Sequence, residues 1–221
     1  MLINKLFGAA LFLAYTATCQ AAINLQGIYL QAQGGIGGIY TKDYEDNRTP
    51  FNQVSLRDGG VYRLSIGYLF TQNPLNYGLE LAYAGYPNNS YAYAFPSLPA
   101  QGTEEYSGYA VDLLAVLKYT LIKDFYVQAK AGGAYVSQTF SGQASALHTL
   151  FALNTTNNQI EPELAAGLGY QATKNLDINL SYHYIFAGTA DPFADSVINQ
   201  NGLTQTSSVG LFMAGIAWHF V

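Results

Sequence analysis

Charged side chains in this sequence occur inside segments where polar and apolar residues alternate. They are Arg63, Lys118, Lys130, Glu80, Asp112, Glu161, Glu163 and Asp177, and His183 follows the same pattern. A charge that is buried alone is very costly, so such groups on an enclosed face must be paired, hydrogen-bonded or hydrated. Two interpretations follow: an ion-pair network that fills the interior and fixes strand register, or a narrow path for ions.

The order of these residues along the chain predicts specific pairs. Arg63 and Glu80 lie on successive segments, and we expect them to pair. Lys130 is followed on the next segment by Glu161 and Glu163, either of which we expect as its partner.

Ser181 and His183 are the residues that nucleophilic catalysis would need. They lie two positions apart and therefore share one face of a strand. Asp177 is on the same face, but nothing in the sequence fixes a carboxylate against the histidine, and that face is predicted to turn away from lipid. His148 and His219 lie in distant segments, so no three-histidine zinc site is evident. We expect no enzyme activity, no metal and no cofactor.

The composition indicates which kind of secondary structure contains these residues. Half of the 221 residues are hydrophobic and only 10% are charged, with 19 Tyr and 22 Gly, whereas soluble domains carry about 25% charged residues. Beyond the first two dozen residues no run approaches the roughly 20 apolar residues that a membrane helix needs. An apolar chain without apolar blocks indicates alternation, as in strands that face lipid on one side.

Eight segments alternate with a period of two, which predicts strands. In the second, Tyr62, Leu64 and Ile66 point outward while Arg63 and Ser65 point inward. The fourth would also suit a helix, but we predict a strand there. The segments are 27–37, 61–70, 76–86, 109–119, 125–136, 160–171, 176–186 and 208–221.

The connections alternate in length, with long ones at 38–60, 87–108, 137–159 and 187–207 and short ones at 71–75, 120–124 and 172–175. Outer-membrane barrels have short periplasmic turns and long outer loops. The fold class is therefore all-β, an eight-stranded antiparallel up-and-down transmembrane barrel. This order places both termini in the periplasm.

The start of the chain predicts a secretory signal over residues 1–21, followed by the barrel over 22–221. Lys5 supplies the positive charge, residues 6–15 the apolar stretch, and Ala21 a small residue for cleavage. Cys19 admits an alternative, a lipidated cysteine, but the preceding residues fit that signal poorly. Cleavage after Ala21 leaves no cysteine, which excludes disulfides.

Aromatic residues in the first two long loops are candidate contacts with other molecules. They are Tyr44, Phe51, Tyr91, Tyr93 and Phe95. Exposed aromatics of this kind suit partner binding. The alternative, which we favour, is that they cover the barrel mouth or lie at the lipid headgroups.

The chain resembles the OmpA-type outer-membrane barrel family in its broad sense. The likeness is carried by Gly-Ile-Tyr-Leu-Gln-Ala-Gln-Gly-Gly-Ile-Gly (27–37), by Phe-Tyr-Val-Gln-Ala-Lys-Ala-Gly-Gly-Ala-Tyr (125–135) and by the closing Ile-Ala-Trp-His-Phe-Val. It implies outer-membrane lipid as surroundings, and the barrel-assembly machinery and periplasmic chaperones as partners during biogenesis. Family members commonly end on an aromatic assembly signal, whereas here Phe220 is penultimate. We expect the barrel only, without a peptidoglycan-binding domain.

The function expected from these observations is mainly structural: a small integral barrel that supports membrane integrity and exposes loops at the surface. One alternative is an adhesin or host-factor receptor that binds an extracellular ligand through those loops. A second is a narrow porin-like channel. The net charge of −5 and the absence of a Lys/Arg stripe indicate no nucleic-acid partner.

Overall fold

The computed structural model describes residues 26–39, 59–72, 74–86, 89–95, 100–146, 149–188 and 205–220. They form nine strands. The strands are β1 (Ile28–Ile39), β2 (Gly59–Gln72), β3 (Leu75–Gly85), β4 (Asn89–Phe95), β5 (Ala100–Ile122), β6 (Phe125–Ala146), β7 (Thr149–Gln171), β8 (Leu176–Ile185) and β9 (Val209–His219). No helix in these ranges is long and apolar enough to cross a bilayer.

Eight of the nine strands form a closed antiparallel barrel. The sheet runs β3-β2-β1-β9-β8-β7-β6-β5-β4, and β3 also pairs with β5, which closes the ring and leaves β4 outside it. The closed eight-stranded antiparallel barrel predicted from the sequence is confirmed, including the fourth predicted segment, which is part of β5.

The two ends of the barrel differ. The tight connections β2–β3, β5–β6 and β7–β8 lie at one end, together with the start of β1 and the end of β9. We name this the short-turn end and the opposite one the sheet end.

The outer surface of the barrel is apolar between two belts of aromatic side chains, all of them exposed. The belt near the short-turn end comprises Tyr68, Phe70, Tyr77, Tyr119, Phe125, Tyr170 and Trp218. The belt near the sheet end comprises Tyr62, Tyr83, Tyr109, Tyr135, Tyr182, Phe186 and Phe212. Strand rise and a tilt near 40° separate the belts by roughly 15–25 Å, which is comparable to the apolar band of an outer-membrane barrel.

Beyond the second belt a sheet projects from the barrel. It is formed by β4, residues 100–108 of β5, 136–146 of β6 and 149–159 of β7. We name it the projecting sheet. At about 3.3 Å per residue, β6 extends ~35 Å along its own direction past Tyr135.

The projecting sheet corrects two predictions. Residues 137–159 were expected to be a long loop, but 137–146 and 149–159 are paired strand, and much of 87–108 is also strand. The physical reason is that outward positions of these strands are polar: Thr139, for example, hydrogen-bonds to Thr156 (2.9 Å between the hydroxyl oxygens) where an outward residue lower down would be apolar. Apolar alternation, the signal used for prediction, is therefore absent.

Several predicted features lie outside the described residues: the signal over 1–21, Tyr44 and Phe51. Tyr91, Tyr93 and Phe95 belong to β4 rather than to an irregular loop.

One glycine is required by a close approach inside the barrel. Gly67 is opposite both Tyr29 and Glu80 in register. A Cβ at position 67 would lie 2.4 Å from the Tyr29 ring. The absence of a side chain there lets the tyrosine lie across β2 and bring its hydroxyl to Glu80, 2.7 Å away.

We expect Gly67→Ala to lower the free energy of unfolding by about 1–3 kcal/mol, the usual cost of overpacking. The matched control is Gly60→Ala on the same strand, where an added Cβ would meet nothing within 4 Å. Urea titration of both refolded variants measures the difference, and equal midpoints would show that Tyr29 does not need this space.

Candidate functional site: the barrel interior

The described inward side chains form three layers from the short-turn end to the sheet end. An ionic cluster of Lys118, Asp177 and His219 lies at the short-turn end. A central network of hydrogen-bonded polar groups comes next: Tyr29, Gln31, Gln33, Arg63, Ser65, Glu80, Asp112, Lys130, Glu163, Asn179, Ser181 and His183. An apolar plug, defined below, fills the sheet end.

Glu80 is the hub of the central network. Its carboxylate accepts hydrogen bonds from Arg63 Nη1 at 2.7 Å, from Lys130 Nζ at 2.7 and 2.8 Å and from the Tyr29 hydroxyl at 2.7 Å. Glu80 itself is 0% exposed. Charge-assisted bonds of this length are strong in a dry interior. One carboxylate therefore connects β1, β2, β3 and β6.

The structure brings Arg63 and Glu80 together as expected, but the expected partner of Lys130 is wrong. Lys130 Nζ bonds to Glu80 rather than to Glu161 or Glu163. In an eight-stranded barrel the interior is just wide enough for side chains to fill, so a lysine reaches past its neighbouring strand. Glu161 instead accepts a hydrogen bond from Thr206 Oγ1 at 3.0 Å.

Asp112 and Glu163 lie on the sheet-end side of this hub. Asp112 Oδ2 accepts from Arg63 Nε at 3.3 Å, and Glu163 Oε1 lies 2.7 Å from His183 Nδ1. Asp112, Glu163 and His183 are all buried.

Amides and hydroxyls complete the network toward β8. Asn179 Oδ1 accepts from Gln31 and Gln33 at 2.9 Å each, and Ser181 Oγ accepts from Gln33 Nε2 at 2.8 Å. The two glutamines and Asn179 were not among the predicted site residues. Their position on the inward phase of their strands was the signal that could have found them.

Ser181 and His183 therefore have different partners, since Ser181 bonds to Gln33 of β1 while His183 bonds to Glu163 of β7. Both are buried inside the barrel wall. Within the described ranges no group of three His, Cys, Asp or Glu side chains is arranged to hold a metal ion.

The ionic cluster is organised around Asp177. Its Oδ2 lies 2.5 Å from Lys118 Nζ and 2.9 Å from His219 Nε2, and the same lysine lies 4.0 Å from the centre of the Tyr126 ring. A small apolar cluster of Tyr29, Leu69, Val116 and Ala217 lies nearby. The contacts of Asp177 with Lys118 and His219 join β8 to β5 and β9 at the short-turn end.

The apolar plug was not predicted from the sequence. It comprises Ile39, Val61, Ala84, Tyr86, Tyr106, Ala110, Ala134, Val136, Phe140, Ile185, Val209, Leu211 and Met213. Its signal in the sequence is clearest in β9, where alternation fails because inward Leu211 and Met213 flank outward Phe212. The rings of Tyr106 and Phe140, tilted against each other with centroids 4.9 Å apart, form the part of the plug farthest from the short-turn end.

A family model described as the outer membrane protein beta-barrel domain matches residues 7–220. The chain belongs to this family. Membership confirms the resemblance found in the sequence and places the protein in the bacterial outer membrane.

Individual relatives are distant. A protein of Coxiella burnetii described as uncharacterized is 26% identical over 225 residues, which cover 88% of this chain and 85% of that protein. The crystal structure of Neisserial surface protein A is 17% identical with a TM-score of 0.45, covering 88% of this chain and 97% of that one. OprG of Pseudomonas aeruginosa is 14% identical with a TM-score of 0.48 and the same coverage, 88% and 97%.

We expect Lys130→Met to destabilise the barrel by about 3–5 kcal/mol, because breaking a buried ion pair leaves an uncompensated charge. Here Glu80 would keep Arg63 alone, a cation that it shares with Asp112. Lys123→Met, in the exposed β5–β6 turn, is the matched control and should leave the free energy of unfolding unchanged. Equal urea midpoints for the two variants would contradict the role of Lys130 in holding β6 to β3.

Proposed function

We propose that this protein is a structural component of the outer membrane, a closed and filled barrel that supports membrane integrity rather than conducting solutes. The observation that carries the proposal is the filling of the lumen at three successive levels. Paired charges occupy the short-turn end and centre, and apolar side chains occupy the sheet end.

The apolar plug is the decisive layer. An ion crossing it would lose its hydration shell without gaining polar partners, which is very costly. Leu211, Met213 and Val209 are at most 2% exposed in this layer. Below the plug, Glu80 is bonded to both Arg63 and Lys130, so this carboxylate could bind a passing ion only by breaking those contacts. A narrow channel is therefore the less favoured alternative.

Planar-bilayer recording of the refolded protein tests the proposal. We expect no reproducible unitary currents from the wild type in either polarity. A Leu211→Gly, Met213→Gly double variant, which removes side chains from the plug, serves as the comparison and should raise the frequency of conducting events. Regular unitary currents from the wild type would overturn the structural assignment in favour of a channel.

A second candidate function is supported by the projecting sheet, which resembles a platform for an extracellular or host ligand. β5, β6 and β7 continue from the barrel wall into this sheet, so contact groups on these strands would be held rigidly. This proposal requires the sheet end to face the exterior and the short-turn end, with both termini, to face the periplasm. Short turns on the periplasmic side are the rule for such barrels.

Single cysteines test this orientation, because the only native cysteine is Cys19. We expect Gln143→Cys in the projecting sheet to react with a membrane-impermeant maleimide on intact cells. Lys174→Cys in the β7–β8 turn is the control and should react only after the cells are lysed. The reverse pattern would place the projecting sheet in the periplasm and remove it as a surface platform.

A further inference from the structure

The central network contains more acid than base. Its cations are Arg63 and Lys130, and its carboxyl groups are Glu80, Asp112 and Glu163, all five of them at most 3% exposed. With every group in its ordinary ionised form, two positive and three negative charges leave the network at −1. An uncompensated charge in a dry interior is very costly, so the folded barrel must bind one further positive charge in the central network.

The geometry shows where the excess lies. Glu80 is fully engaged by Arg63, Lys130 and Tyr29, as described above. Asp112 and Glu163 are not: each has one oxygen with a partner, while Asp112 Oδ1 and Glu163 Oε2 are buried without a hydrogen-bond donor. The two carboxyl groups also interact directly with each other.

A proton on this pair satisfies both oxygens. Two ionised carboxylates that share a site repel each other, whereas one carboxylic acid can donate to the other carboxylate. The contacts to Arg63 and His183 are kept, and the network becomes neutral. The described residues hold no metal-binding group, which favours a proton over a metal ion.

His183 is the competing location for the proton. Its Nδ1 is bonded to Glu163, but its Nε2 is buried with no partner. An imidazolium would bury a charged N–H donor without an acceptor, whereas a neutral ring donating from Nδ1 leaves only an unpaired acceptor. The neutral histidine is the less costly form.

We propose that Asp112 and Glu163 form a buried proton-binding site that holds one proton in the folded barrel at neutral pH. The groups around the site are Arg63 on β2, Lys130 on β6, His183 on β8 and Glu80 on β3, with Tyr86 and Tyr106 on the plug side. The bound proton makes the stability of the barrel depend on pH.

The sign of that dependence follows from proton counts. In the unfolded chain Asp and Glu ionise near pH ~4 and His is neutral above ~6.5, so above neutrality these three side chains carry no proton. The folded state then holds one proton more than the unfolded state. The folding equilibrium constant should fall about tenfold for each unit of rising pH while the site remains occupied. Between about pH 5 and 6.5 the unfolded histidine binds a proton too, and the dependence should vanish.

Urea unfolding from pH 7 to 9, followed by the fluorescence of Trp218, the one tryptophan, tests the proposal. Asp112→Asn and Glu163→Gln each remove one negative charge and keep the hydrogen-bonding shape, so neither variant needs the bound proton. The slope of the logarithm of the folding equilibrium constant against pH should therefore be weaker in each variant by one proton, that is, by a factor of about ten in the constant per pH unit. Asp124→Asn, in the exposed β5–β6 turn, should keep the wild-type slope.

Equal slopes for the wild type and both amide variants would overturn the proposal. Infrared spectra of the folded wild type at pH 7 provide a measurement that does not require either variant to fold. A protonated-carboxyl band that shifts in D₂O supports the site, and its absence in the correctly folded barrel rules it out.

Discussion

Closure of the sheet by the β3–β5 pairing is the constraint on which the rest of the structure depends. Lipid cannot hydrogen-bond to a strand edge, so a spanning sheet must leave none unpaired within the bilayer. The register from Leu75 opposite Tyr119 to Gly85 opposite Tyr109 supplies the last seam. Above Gly85 the constraint ends, because the surroundings are water. There β3 gives way to β4 as the partner of β5, and the projecting sheet begins.

Closure also creates the enclosed volume that gives the interior its chemistry. With only eight strands, inward side chains from opposite walls meet, and each charge must find its partner inside. Glu80 shows the solution: two cations and a phenol from three other strands converge on it. Because the interior is confined and dry, the negative charge of the surplus carboxyl group in the Asp112–Glu163 pair must be compensated there. In a wide, wet pore that surplus would be screened by water and ions.

Alternation within single strands was sufficient to predict the barrel and to predict which of its residues face lipid and which face the interior. Tyr62, Leu64 and Ile66 are exposed while Arg63 is buried, as expected, because lipid on one side and a polar lumen on the other impose a period of two. The same dependence of the pattern on lipid explains why the strands of the projecting sheet were not predicted. In residues 137–159 outward positions such as Thr139 and Thr156 are polar, so the pattern that marks a strand in lipid is absent although the strands are present.

What the sequence could not supply is contact across the lumen. The partner of Lys130 is decided by side-chain length and barrel width, not by which strand follows in the chain, and Glu80 lies two strands away. The apolar plug was not predicted, although Leu211 and Met213 interrupt the alternation of β9, because its residues come from many strands and meet only inside the closed barrel. The partner of Lys130 and the position of the plug can be derived only when the closed ring of strands is known.

Residue-resolved NMR of the refolded protein in lipid nanodiscs tests the closure most directly. In a closed barrel we expect cross-strand backbone contacts between Leu81 and Leu113 and slowly exchanging amides along the lipid-embedded part of β3 and β5. Fast exchange along one edge of β3, or a contact of that edge with any strand other than β5, would contradict a closed eight-stranded barrel.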